Sequence, residues 1–329
     1  MPLSRRHLIQ AAGASALFAG LGRTASAQAL DTVRIVNGFP AGSNPDVLAR
    51  KVGDLLAKSG YARAAIVDNK TGAGGQLAVG SVKGMAPDGS NVLLTPMSML
   101  GVFPHTYKKL PYDPVADLTP VSMGVLYDYA IGVGPGVPES VKTLNDLMAW
   151  YKAHPGKASM ASPSTGSTLH FVVEMLGRAA GVDLQHVGYR GAAPAIQDML
   201  GGTMPALCTP LGSFSTYLKD GKIRVLATSG AQRTRFTPAV PTLAEQGFKD
   251  LVFSEWYGFF LPAKAAPETV KRLNAALQDA LKSPEIAQTL ASFAMEPAPS
   301  TPEQLAAALQ ADLKRWAPIV KGIGFTADS

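Results

Sequence analysis

Apolar residues along this chain follow two alternating rhythms. Short β-branched runs stand at Val33–Val36, Ala64–Val67 and Asn91–Thr95. Between them, Pro45–Ser59 places Leu48, Val52, Leu55 and Leu56 on one face of a helix, and Gln76–Lys83 reads as a second helix. Strand and helix in alternation, with short connections, predict a parallel sheet covered by helices. The same grammar then repeats. Strands are expected at Tyr129–Val133, Lys157–Ala161, Gln185–Tyr189 and Ile223–Ala227. Helices are expected at Leu144–Ala153, capped by Thr143, and at Thr168–Ala180 and Ala192–Leu200. The two halves meet near Val121–Asp128 and again near Leu251–Trp256. Three tail helices, Pro267–Leu281, Pro284–Phe293 and Pro302–Ile319, begin at Ser, Thr or Ala-Pro start signals. Two α/β lobes joined by crossing segments form a cleft. Ligands of such sheets sit beyond the C-terminal strand ends, beside helix N-termini.

The start of the chain changes the picture. Ser4-Arg5-Arg6 leads into an apolar stretch from Leu8 to Leu21, closed by the small residues Ala25-Ser26-Ala27 and then Ala29. This is the pattern of a secretory signal over residues 1–29, and the paired arginines suggest export of a folded chain to the periplasm by the twin-arginine route. The stretch is shorter than the roughly 20 residues that span a bilayer. No later segment is apolar enough to do so, and the mature chain is expected to be soluble. Of 30 basic residues, Arg5, Arg6 and Arg23 leave with the signal, so 27 face 24 acidic ones, a surplus of three. That is no nucleic-acid footprint. The single cysteine, Cys208, excludes an internal disulfide and a cysteine-based metal or redox centre.

Three loops lie after a strand and before a helix. The first, Gly38–Asp46, has Gly42 for unusual backbone angles and Pro45 for the first helical turn. Its free amides could hold an anion, with Phe39 covering the apolar body of a ligand. The second, Asn69–Gln76, has three glycines within four positions, and no Gly-Lys-Ser/Thr follows to make it a P-loop. The third, Ser162–His170, crowds hydroxyls and amides at a helix start. Each loop taken alone is ordinary turn and cap chemistry. Three on one edge of two facing lobes point to a site, with an anion held between amide cradles at Gly42 and Gly166.

At these loops the sequence resembles the Bug family, the periplasmic solute-binding proteins of tripartite tricarboxylate transporters. The resemblance is carried by Asn69–Gln76, Ala86-Pro87-Asp88-Gly89, Tyr107–Pro114, Gly166–His170 and Tyr189-Arg190-Gly191. Val240-Pro241-Thr242, Trp256-Tyr257-Gly258, Leu273-Asn274 and Ser300–Glu303 extend it over nearly the whole mature chain. It implies an α/β, two-lobed, periplasmic-binding-protein-like (Venus flytrap) fold, each lobe a mainly parallel sheet flanked by helices. Residues 30–127 and 253–329 would form lobe 1, to which the tail helices return, and 128–252 lobe 2. It implies a receptor without catalysis or cofactor, expected as a monomer. Such a receptor delivers a small carboxylate to membrane transporter subunits or presents it to a sensor kinase. By position, Phe39, Ala41 and Gly42 line one wall and Gly75 and Gln76 flank it. Ser162, Thr165, Gly166, Ser167 and Thr168 form the opposing grip, with His170 behind. Asp46, Ser98, Tyr189 and Arg190 complete the candidate contacts.

Two departures matter. Gly38 and Ser43 stand where the family pattern has proline and glycine. The stretch Thr203–Thr209 lacks the aspartate that faces the cleft in the family, which argues against an amino-acid ligand and for a plain acid or a less charged, aromatic compound. A hydrolase using Ser164 or Ser167 with His170 is the rival reading. Its nucleophile elbow fails, because Ser162 stands where the motif needs glycine. His170 and Glu174 have a metal-like spacing without an evident third ligand.

Overall fold

The structure, a computed structural model, describes residues 29–218 and 220–327. The signal and twin-arginine expectations rest on residues outside that range. The first sheet begins with three parallel strands, β1 (Leu30–Asn37), β2 (Ala62–Asn69) and β3 (Asn91–Pro96), in the order β2-β1-β3. Helix α1 (Asn44–Lys58) joins β1 to β2 and buries Leu48, Val52 and Leu56. That is the expected face, with Leu55 at its edge. Helix α2 (Gln76–Val82) follows β2.

Strand β4 (Leu118–Val133) is 16 residues long and serves two sheets. Up to Asp128 it pairs antiparallel with β9 (Ser254–Pro262), which itself lies antiparallel to β3. From Tyr129 onward it pairs with β7 (Ala206–Pro210) and β8 (Arg224–Thr228). Bulges break its register beside Pro120 and Met123. Gly124 stands at the second, where a Cβ would come within 2.7 Å of the Phe259 ring. The second sheet continues through the parallel strands β7, β5 (Ser159–Ser162) and β6 (Gln185–Gly188). Helices α3 (Leu144–Ala153), α4 (Thr168–Ala180) and α5 (Ala192–Leu200) belong to this half. Both sheets are therefore mixed: a parallel part, plus the antiparallel connections that β4 and β9 make.

Helices α6 (Pro267–Leu281), α7 (Pro284–Ala291) and α8 (Pro302–Ile323) return to the first sheet. Helix α8 packs on the helical turns Ser98–Thr106 and on β4. It buries Trp316 against Phe253, with ring centroids 5.2 Å apart. Strand β10 (Met295–Pro297) adds an edge to β4. Three strands were not expected from the sequence: β7, whose Ala-Leu-Cys-Thr-Pro is weakly β-forming, the return segment β9, and β10. The expected strand at Tyr129–Val133 is the far end of β4, whose bulges interrupt any alternation readable over its whole length.

Candidate functional site

The parallel strands of both sheets end at facing loops, and the loops touch. A Cβ on Gly38 would lie 2.7 Å from Gly75 Cα, so the first two loops are in contact within one lobe. A Cβ on Gly74 would lie 3.7 Å from Ser164 Oγ, across the lobes. A Cβ on Gly166 would lie 3.6 Å from the Tyr107 ring and 3.4 Å from the Phe325 ring. Tyr107 is hydrogen-bonded by Gln76 and packs at 4.8 Å on Phe103. The structure thus gathers Gly74, Gly75, Gln76 and Tyr107 from one side and Ser164–Gly166 from the other.

Helix starts show a second pattern. Three helices carry side-chain caps: Thr143 on α3, Ser283 on α7 and Thr301 on α8. The four that begin at the ends of parallel strands have none: α1 at Ser43, α2 at Gly75, α4 at Ser167 and α5 at Gly191. Two of these N-caps are serines, the residue type that ordinarily caps. Ser43 Oγ instead donates to Pro40 O at 2.6 Å, and Ser167 Oγ to Ser164 O at 2.8 Å. The amides of those first turns are left open to another acceptor.

The two serine starts differ electrostatically. Asp46 lies buried in the first turn of α1, and its carboxylate accepts from the Gly42 amide at 2.9 Å. It also takes two bonds from Arg50, at 2.9 and 3.0 Å, and one from Asn69 at 2.8 Å. Burial alone would raise this carboxyl, but the bonds from Arg50, Gly42 and Asn69 outweigh it and hold it below the usual carboxylate range. The Gly42 amide, expected to hold an anion, is therefore already occupied, and Asp46 shapes the loop from within. Helix α4 has no acid in its first turn, and Thr168 Oγ1, at N1, is buried without a hydrogen-bond partner. Of the two serine starts, α4 is thus the one with vacant capacity for a negative group, and it alone of the four uncapped starts has a buried, unpartnered hydroxyl in its first turn.

Behind that start stand two imidazoles in contact, tilted 32° to one another. His170 and His186 lie 3.9 Å apart, centroid to centroid. His170 Nδ1 accepts from the Gly166 amide at 3.1 Å, so the proton of the neutral ring sits on Nε2, 3.6 Å from Glu174 Oε1. Burial lowers His170 to about 4, and burial with the neighbouring His170 lowers His186 to about 3. Both rings are neutral at pH 7. His186 Nε2 lies 2.7 Å from Ser162 Oγ, which also donates to Ser164 O at 3.2 Å. Thr165 Oγ1 sits over Gly188, where there is no room for a Cβ. A hollow of about 400 Å³ borders this group, lined by Thr165, His170, Glu174, Asp183, His186 and Phe325. It shares Thr165 and His170 with the loops and includes none of the β1 or β2 loop residues.

Other nominated residues point elsewhere. Ser98 gives its amide to Glu255 Oε1 at 2.8 Å. Burial raises Glu255 to about 7, against the hydrogen bonds from Ser98 and with Asp312 adding repulsion. Tyr189 gives its hydroxyl to Asp198 at 2.6 Å, and Arg190 is exposed. Phe39 packs half-buried on the core, while Ala41 and Gly42 are exposed. The sequence reading missed His186 and Phe325, and it met Tyr107 only as part of a motif. The one signal for Phe325 was an aromatic directly after a helix-ending glycine.

The hydrolase arrangement does not form around Ser164, Ser167 and His170. Ser167 donates to a carbonyl, and His170 spends Nδ1 on a backbone amide. The Ser162–His186 pair is present, but Ser162 is fully buried, and its hydroxyl also lies within hydrogen-bond distance of Ser164 O. Among the described residues, no group of three or more His, Cys, Asp or Glu is placed to hold a metal. None of their helices is long and apolar enough to cross a membrane.

The sequence profile described as "Tripartite tricarboxylate transporter family receptor" matches residues 48–325. Protein BugT of Bordetella pertussis is 30% identical over 293 residues, 89% of each chain. An R. palustris protein solved with adipate is 26% identical with a TM-score of 0.84, covering 91% of this chain and 98% of that one. MatC of Rhodopseudomonas palustris, solved with bound malate, is 26% identical with a TM-score of 0.79, covering 88% and 98%.

Proposed function

The chain belongs to the tripartite tricarboxylate transporter family of receptors, and from that premise we propose that it captures a small organic carboxylate between two lobes and delivers it to a membrane transporter. The observation that carries this reading is the start of α4. Ser167 sits at the N-cap but turns its hydroxyl away, the first turn holds no acid, and Thr168 Oγ1 is buried without a partner. A carboxylate there would accept from the open amides and from that hydroxyl. Relatives solved with adipate and with malate support the ligand class.

In this reading residues 30–127 and 253–329 form one lobe and 128–252 the other, and the protein is a monomer exported to the periplasm by the twin-arginine route. The nominated contacts divide by role. Ser162, Thr165, Gly166, Ser167, Thr168 and His170 build the anion grip. Phe39, Ala41, Gly42, Gly75 and Gln76 build the facing wall. Asp46 holds the Gly42 loop in shape, whereas Ser98, Tyr189 and Arg190 bond or point away from the grip and carry no contact in this reading. The stretch Thr203–Thr209 offers no acid to pair with an ammonium, so a plain acid fits better than an amino acid.

The test is calorimetric titration of the mature protein with malate, adipate, benzoate and aspartate, alongside native mass spectrometry of protein taken from its own periplasm. Binding of at least one plain acid, with a co-purified carboxylate in one-to-one ratio, is expected. Tight binding of aspartate alone, or of an uncharged solute, contradicts the reading.

A further inference from the structure

Helix α8 ends at Ile323, and the chain beyond it stays on the fold. Gly324 turns left-handed (φ 75°) and its amide bonds back to Val320 O. Arg178, on α4, donates to the carbonyls of Gly322 and Ile323 at 2.9 Å each. Further on, Ala327 forms a parallel bridge with Tyr107. Its amide donates to Thr106 O at 2.7 Å, and the Lys108 amide donates to Ala327 O at 3.4 Å. Phe325 lies between these anchors. Its ring meets His170 edge-on, at 4.6 Å and 83°, and stands 5.7 Å from Phe171. Phe325 and Tyr107 are also the two rings nearest Gly166.

Hydrogen bonds fix the loop they touch at Ser162, Pro163 and Ser164, and its far end at Gly166 depends on the packing around it. Ser162-Pro163-Ser164-Thr165-Gly166-Ser167-Thr168 has no apolar side chain except Pro163, so it has little of its own to bury. Gly166 is left-handed (φ 75°), and its amide is fixed by His170 Nδ1 alone. The His170 ring is in turn wedged between His186 and Phe325. Phe171 packs on the same ring at 5.1 Å, so removing Phe325 loosens one side of the imidazole's packing and, with it, the bond that holds Gly166.

We propose that Phe325 and Tyr107 are positioning residues for anion capture: the tail strap presses the Gly166 loop and His170 into the one shape that leaves the first-turn amides of α4 open. The proposal rests on the reading that those amides receive the carboxylate. Tyr107 and the Ala327 bridge belong to the half built on β1–β3, whereas Arg178, Gly166 and His170 belong to the other. The strap therefore ties the two halves together at the grip, and it does so before any ligand arrives.

Hydrogen exchange of the free full-length protein, read by mass spectrometry, tests the proposal without any ligand. In Phe325→Ala, exchange across residues 162–171 should rise about tenfold or more, with β7 and α5 unchanged. Phe325→Tyr, which keeps the ring, should restore protection. Nitrogen NMR of His170 should show Nδ1 as the bare acceptor in the wild type and in Phe325→Tyr, and a mixture of tautomers in Phe325→Ala. Should the alanine variant fail to fold, Tyr107→Leu probes the same loop from its other face. Exchange within about twofold of wild type in 162–171, or acceleration spread evenly over β7 and α5, overturns the proposal. Titrations with malate and adipate report separately on the functional reading, so failure of either stands apart from failure of the other.

Discussion

Gly166 allows charge and shape to be separated at the anion grip. Its φ is 75°, and a Cβ there would make ordinary contact with Phe325 at 3.4 Å and Tyr107 at 3.6 Å. Gly166→Asn costs the left-handed backbone, about 1 kcal/mol, plus the room its amide needs beside the two rings, and Gly166→Asp shares both costs; asparagine is among the residues that enter that region most readily. Gly166→Asp has nearly the same shape and adds one negative charge at the mouth of α4. Two unit charges about 4 Å apart repel by about 4 kcal/mol at an effective dielectric of 20. Rotation of the new side chain toward solvent reduces this, leaving about 2–3 kcal/mol, or about a 30- to 150-fold loss of affinity relative to Gly166→Asn. The assay is calorimetric titration of both variants and wild type with the acid that binds best among malate, adipate and benzoate. Circular dichroism should show both variants folded. Equal affinities for the aspartate and asparagine variants would refute the placement of the negative group at α4.

Further outcomes follow from the same geometry. Thr301→Ala removes a complete capping box and should cost about 1 kcal/mol in urea denaturation, whereas Ser167→Ala, whose hydroxyl caps nothing, should cost less than half of that; the reverse order would contradict the open-start assignment. Glu255 titrates at about 7 in the fold against 4.5 ordinarily, so between those values the folded state holds the extra proton. Stability should fall by about 3 kcal/mol as pH rises through that window, and Glu255→Gln should flatten the slope in pH-dependent denaturation. His170 and His186, lowered to about 4 and about 3, contribute stability that is full above pH 6.5 and lost as pH falls toward those values. Their ring signals should show them neutral at pH 5.5 in an NMR titration, and a midpoint near 6.5 for either would contradict the buried pair.

Much of the architecture was readable because the periodicities are local. Helices α3, α4, α5 and α6 run over the expected residues, since each has an apolar face and a clear stop or start. Strand β7 was not readable, because its identity comes from pairing with β4 and β5 rather than from Ala206–Pro210 itself. The same is true of β9, buried on both faces, whose aromatic run reads equally as a core crossing. At the site, the loops were found because Gly, Ser and Pro punctuate them. What they do was harder to read. An N-cap serine looks the same in sequence whether its hydroxyl caps, as at Ser283, or turns away, as at Ser167. Asp46 looks like a residue available to a ligand until Arg50, Asn69 and the Gly42 amide are seen around it. Phe325 and His186 lie far from the loop in sequence, and only the tertiary fold brings them to His170.

The central claim is that a carboxylate sits on the open first turn of α4. A crystal structure of the mature protein with its co-purified or added acid tests it most directly. The account predicts carboxylate oxygens about 2.7–3.1 Å from backbone amides within Ser167–His170 and from Thr168 Oγ1, with Tyr107 and Phe325 still against Gly166. A carboxylate bound instead in the hollow beside Glu174 and Asp183, or on the Gly42 loop with α4 left untouched, would contradict it.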